Sequence, residues 1–173
     1  MKVGIVVDMQ KDFIYGPLGT FEAQAIVPYV QEQCQNKTYD MIFLTQDWHG
    51  KVENRNYIEM NKVPFHCIAG TKGAGLIDLS PAVTWRVVQK DTFGTFDLPS
   101  AILEESYGYG EDITEIHIMG VCTDICVISN ALILRAAFPT VPIYVHSNGC
   151  AGTTPAAHES ALMIMQNCLI EVI

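Results

Sequence analysis

The sequence predicts an α/β fold, a six-stranded and mostly parallel sheet with helices on both faces, three layers in all, built as a single domain over residues 1–173. Three observations carry this. Short apolar runs alternate along the chain with segments of helical spacing, the pattern of crossover connections. The runs are apolar at almost every position, as in Val3-Gly4-Ile5-Val6-Val7, so both faces of the sheet must be covered. And 173 residues with 49% apolar content suffice for one core of that size.

In chain order, the first strand is read at 3–7, where Asp8 ends the apolar run. A helix follows at 21–36, then a strand at 40–45. The stretch from about 47 to 80 has no clear period and is long for a compact domain, which marks it as a binding loop. A third strand at 85–89 ends on Lys90, and a helix at 98–106 has Pro99 in its first turn. The fourth strand is the apolar run at 115–119. Ile125, Ile128 and Leu132 then set a helix at 123–137, stopped by Pro139. A strand at 142–146, a helix at 155–166 capped by Thr154 and opened by Pro155, and a strand at 168–172 complete the pattern. No internal repeat or linker is found.

A formal net charge of −9 makes nucleic acid and anionic membranes poor partners. The apolar run after Met1-Lys2 is broken at Asp8, too soon for a secretory segment, and no stretch reaches spanning length. A cytoplasmic location is expected, and six cysteines at this density suit reduced thiols. The sequon Asn36-Lys37-Thr38 is then a chance match. No nucleotide cofactor is assigned: Gly70-Thr71-Lys72-Gly73-Ala74-Gly75 lacks the Gly-Lys-Ser/Thr ending of a phosphate loop, and Gly108-Tyr109-Gly110 lacks a third glycine.

The chemistry-bearing residues gather at strand ends. In a parallel sheet these ends line one edge, where distant segments meet over a crevice. Asp8, Lys90 and Cys126 are placed there as base, charge partner and nucleophile. Cys126, in the first turn of its helix, should meet unpaired N–H groups and the positive end of the dipole, both of which favour thiolate. Asp47 and His49, two apart on an extended segment, point to the same side and can share one cation, with His66 as a third ligand. Plainer readings stand beside these. A cysteine is often a small buried hydrophobe, Lys90 can be a solvated strand-end charge, Asp8 can cap a turn, and the aspartate and histidines can serve as ordinary hydrogen-bonding groups.

Five segments in order resemble the nicotinamidase and isochorismatase-like family of cysteine hydrolases: Asp8-Met9-Gln10-Lys11-Asp12-Phe13, Lys90 to Phe96, Gly120 to Val127, Ser147-Asn148-Gly149-Cys150-Ala151, and His158-Glu159-Ser160-Ala161-Leu162. The resemblance implies a Rossmann-like three-layer fold and hydrolysis of nicotinamide to nicotinate and ammonia through a thioester on Cys126. It assigns the oxyanion hole to the backbone N–H groups of Cys122 and Cys126, and places a cis peptide at Val121-Cys122. Phe13, Val63 and Val121 are the expected walls of the substrate pocket, although Phe13 and Val63 also read as ordinary packing.

Metal-containing members of that family match the Asp47-x-His49 pair and His66, and there a divalent cation ligates the pyridine nitrogen. Zinc is the default, with iron or manganese equally suited to the ligands. Many members carry a further His just after the pair, which this chain lacks; Glu59, or else Glu53, stands where some relatives place a Glu ligand. The implied partner is a small carboxamide, and relatives are often dimers or tetramers. The alternatives are hydrolysis of another small amide, vinyl-ether cleavage of the isochorismatase type (against which Cys126 argues), a thiol–disulfide exchanger using Cys122 and Cys126, and a catalytically silent binding protein.

Overall fold

The computed structural model describes residues 1–50 and 63–173. Glu53 and Glu59, the candidates for a fourth metal ligand, lie outside the described residues. Six strands form one sheet: β1 (Lys2–Val7), β2 (Met41–Asp47), β3 (Thr84–Lys90), β4 (Glu115–Val121), β5 (Ile143–Ala151) and β6 (Glu171–Val172). Their order is β3-β2-β1-β4-β5-β6, and every pairing is parallel, which removes the "mostly" of the sequence reading. The helices are α1 (Lys11–Ile14), α2 (Phe21–Ala25), α3 (Val27–Gln35), α4 (Asp97–Tyr109), α5 (Ile128–Ala137) and α6 (Pro155–Asn167). With right-handed crossovers, α1 to α3 cover one face; α4, α5 and α6, packed side by side, cover the other. β1 and β4 are buried almost throughout, as apolar strands sandwiched between helical layers must be.

The helix expected over 21–36 breaks at Ile26, because Pro28 has no N–H to give and opens α3 as a new helix. β5 runs on past 146 to Ala151. Its pairing with β4 slips there, so β4 advances from Ile118 to Gly120 while β5 advances from Val145 to Cys150. Such a bulge beside a strand end redirects side chains, and here it adjoins the edge where the site lies. β6 is shorter than the expected strand.

Strand order reverses at β1: the chain first builds outward to β2 and β3, then returns to lay β4 on β1's other side. The crevice at that switch point lies between the segments that follow β1 and β4, and it receives Asp8 and Cys126. Close approach there depends on Gly120, whose φ is +124° and where a Cβ would lie 2.1 Å from the Val7 carbonyl oxygen. Among the described residues no helix is long and apolar enough to cross a membrane.

Away from the switch point, a polar chain with two buried histidines at its middle runs from β4 past β5 to α3. Glu115 Oε2 meets His117 Nε2 (2.8 Å), His117 Nδ1 meets His146 Nε2 (2.8 Å), and His146 Nδ1 meets the Tyr29 hydroxyl (2.7 Å). Burial, then the His117 and Lys2 charges, lower the His146 imidazole from the usual 6.5 to about 4. The unfolded chain takes up this proton near pH 6.5 and the folded chain only near 4, so the contribution to stability is complete above 6.5 and is lost as pH falls through that window. The urea midpoint is expected to drop between about pH 7.5 and about pH 5, and His146→Gln, which keeps hydrogen bonding without titrating, to shrink that drop.

Candidate active site

Four strand ends deliver the site. Asp8 follows β1 in the left-handed region at φ +50°, a strained setting for a residue with a Cβ and one that needs support from its surroundings. Thr45 of β2 gives that support: its hydroxyl donates to Asp8 Oδ1 (2.6 Å) and accepts the Asp8 backbone N–H (3.1 Å). Lys90 ends β3, in register with Asp47 at the end of β2. It spans β2 to place Nζ 2.7 Å from Asp8 Oδ2, 2.5 Å from Asp47 Oδ1 and 3.7 Å from the Cys126 sulfur. Asp8, Lys90 and Cys126 are 0%, 5% and 5% exposed, so the solvated strand-end reading of Lys90 fails.

Cys126 does not open a regular α-helix. It sits in a π-helical turn, Thr123–Val127, before α5, and the turn is closed by the Ile125 and Val127 N–H groups donating to the Cys122 carbonyl (3.0 Å each). The Val121-Cys122 peptide is cis. Asn130 fixes the far side of the turn, donating to the Cys126 carbonyl (2.8 Å) and accepting the Thr95 N–H (3.1 Å).

Beside this trio, ligand atoms of Asp47, His49 and His66 all lie within 4.8 Å of one another, and all three residues are buried. Asp47 Oδ2 meets His49 Nε2 at 3.0 Å and His66 Nε2 at 3.6 Å. His66 Nδ1 is 2.8 Å from the Pro64 carbonyl, a second contact that fixes which nitrogen faces the carboxylate. A carboxylate with two imidazoles in this arrangement fits a divalent cation. Against the sulfur lies a cavity of about 250 Å³, with Phe13, Leu18, Val63, Phe93 and Ile125 on its walls together with Cys122 and Cys126. Phe13 also packs on the His66 ring at 5.3 Å, joining the cavity to the metal-type group.

The isochorismatase domain family matches residues 2–173. The chain belongs to that family. Its relatives include the nicotinamidase of Schizosaccharomyces pombe, 26% identical over 98% of this chain and 91% of that protein. Among solved structures, the pyrazinamidase of Pyrococcus horikoshii in complex with zinc is 28% identical with TM-score 0.80, covering 99% of this chain and 98% of that one. The nicotinamidase/pyrazinamidase of Bacillus subtilis is 27% identical with TM-score 0.84 over 99% and 98%.

In this isochorismatase-domain chain, burial and neighbouring charges set how each group of the site holds its proton. Burial, then the Asp8 carboxylate, push the Cys126 thiol well above its usual range, and Lys90 only partly opposes them. Burial and Asp8 thus work against the thiolate that the first-turn position favours, which leaves the sulfur to be deprotonated by a base, the role the sequence reading gives Asp8. Burial also raises Asp8, with Lys90 pulling against it. For Lys90, burial disfavours the charge but Asp8, Cys126 and Asp47 outweigh it, so the ammonium stays protonated. Burial would raise Asp47 too, yet His49, His66 and Lys90 hold its carboxyl below the usual carboxylate range.

Two further corrections concern placement. Val121 is 1% exposed in the core and does not border the cavity, whereas Phe13 and Val63 do. Sequence reasoning also gave no role to Gln10 or Asp12. Gln10 donates to the carbonyls of Asp47 and Ala74 (2.8 Å each) and accepts the Asp47 N–H (2.7 Å), binding the loop after β1 to the end of β2. Asp12 accepts the Cys67 N–H (2.8 Å) beside His66. Both belong to the Asp8 to Phe13 segment, so the signal was present without its meaning.

Proposed function

We infer that this chain is a cysteine-dependent amidohydrolase that converts nicotinamide to nicotinate and ammonia. The observation that carries the reading is the contact set joining Lys90 to Asp8, Asp47 and the Cys126 sulfur at the wall of an apolar cavity. The relatives named above support the substrate.

Burial opposes the thiolate, so the sulfur needs a base within reach, and the Asp8 carboxylate lies 2.7 Å from the same Lys90 Nζ that meets the sulfur at 3.7 Å. Asp8 takes the thiol proton as sulfur bonds to the carboxamide carbon. Lys90 stays between the carboxylate and the sulfur, orienting one and stabilising charge on the other. The backbone N–H groups of Cys122 and Cys126 receive the oxyanion, where losing one donor typically costs about 3 kcal/mol. The carbon–nitrogen bond then breaks, ammonia leaves with the proton held by Asp8, and a thioester remains. Asp8 next deprotonates a water, which adds to the thioester carbon; the carbon–sulfur bond breaks, and the acid and the Cys126 thiol are released. A divalent cation held by Asp47, His49 and His66 would supply a Lewis acid able to grip a ring nitrogen.

The test is ammonia release from a panel of aromatic and aliphatic carboxamides with defined divalent metals, alongside mass spectrometry of the acid-quenched enzyme. Nicotinamide is expected to react and to leave a nicotinoyl adduct on Cys126. An aliphatic amide reacting while nicotinamide does not would overturn the substrate, and no amide reacting would overturn the activity. For the metal group, His66→Ala is expected to weaken zinc binding, measured by calorimetry, by at least about tenfold, since even a ligand's supporting contacts are typically worth about 10–100-fold in affinity.

A further inference from the structure

The Ser147 to Ala151 and His158 to Leu162 segments take no part in the chemistry above, yet the loop and helix that join them grip the turn that carries Cys126. Thr123 opens that turn and is fully buried, and its hydroxyl meets His158 Nδ1 at 2.8 Å. The next residue, Asp124, accepts the Thr153 N–H (2.8 Å) and the Thr153 hydroxyl (2.6 Å). His158 lies in the first turn of α6, and Thr153 stands two residues before that helix. Just before Thr153, a Cβ on Gly152 would come within 2.8 Å of the His158 backbone nitrogen and 3.0 Å of Asp124 Oδ1, so the loop is packed against the turn without slack. Two consecutive residues of a five-residue turn are thus held from one helix start, while Asn130 holds the turn's other side.

We propose that His158 is a positioning residue: through the Thr123 hydroxyl its imidazole sets the π-helical turn so that the Cys126 sulfur faces Asp8 and the substrate carbon. The proposal rests on the reading of Cys126 as nucleophile. A π-turn spaces its side chains differently from an α-turn, and relaxation towards regular α-helix would swing the sulfur away from Lys90 and Asp8. The Thr123–His158 bond opposes that relaxation without touching any reacting atom. His158 also borders a surface cavity of about 320 Å³, so truncating its ring enlarges an existing opening and leaves the core packed.

The experiment compares His158→Ala, His158→Asn, Thr123→Val and the double variant His158→Ala/Thr123→Val. It measures kcat and KM for nicotinamide, the iodoacetamide alkylation rate mapped to Cys126 by peptide mass, and the urea midpoint. His158→Ala is expected to lower kcat by about ten- to a hundredfold, the scale of a small misplacement remote from the chemistry, and to slow alkylation alongside it. KM should stay within about twofold. His158→Asn, whose amide can stand where Nδ1 stood, should recover most of the loss. Thr123→Val should match His158→Ala, with the double variant no slower than either, because both remove one interaction. Additive losses, an Asn variant as slow as the Ala variant, or unchanged or faster alkylation overturns the proposal. If His158→Ala does not fold, the near-isosteric Thr123→Val and the Asn variant carry the test. Alkylation needs no substrate, so a wild-type chain silent towards nicotinamide counts against the function alone, and the alkylation comparison still decides the role of His158.

Discussion

Cys126→Ala is expected to lower ammonia release at least about 10⁴-fold, the order seen when a covalent nucleophile is removed, while leaving the fold nearly as stable as before. The stability half follows from what the sulfur touches. Its polar neighbours are Lys90 at 3.7 Å and the Asp8 carboxylate, and Lys90 keeps Asp8 at 2.7 Å and Asp47 at 2.5 Å when the thiol is gone. No charge loses its counter-charge, so the cost is that of a small cavity, about 1 kcal/mol. Ammonia assays and urea unfolding on the same preparation check both halves. Residual turnover near the wild-type rate would remove the thioester route.

Lys90→Met is expected to abolish activity as well, by about 10²–10⁴-fold or more, but with a heavy loss of stability. The methionine stem fills similar space without the ammonium, so Asp8 and Asp47, 0% and 1% exposed, would face one another with no cation between them. Removing one member of a buried ion pair typically costs about 3–5 kcal/mol. The urea midpoint should fall far below that of Cys126→Ala. Equal stability in the two variants would show that Lys90 does not hold the carboxylates together.

The contrast also shows what could be read in the sequence. Asp8, Asp47, Lys90 and Cys126 were legible because polar residues that interrupt apolar runs stand at strand ends, and a parallel sheet aligns those ends. The roles of Thr45 and Gln10 were not, since both depend on the register of β1 against β2, which sets Val6 opposite Leu44 and so brings Thr45 alongside Asp8. The opposition to a Cys126 thiolate was not legible for a related reason: a dipole can be inferred from chain position, but burial next to a carboxylate can be known only from the packing. Val121 was misplaced because the strand end faces the core where a pocket wall was expected. The break at Ile26 was signalled by Pro28, whereas the slip of β5 past Val145 carries no local mark.

Asp47 answers to both halves of the site, one oxygen turned to Lys90 and the other to His49 and His66. A related chain that held no cation there could discard the two imidazoles, yet an acid at position 47 would still be wanted to keep the buried ammonium neutralised on both flanks. Ligand loss and lysine upkeep are therefore separable at the histidines and inseparable at the aspartate.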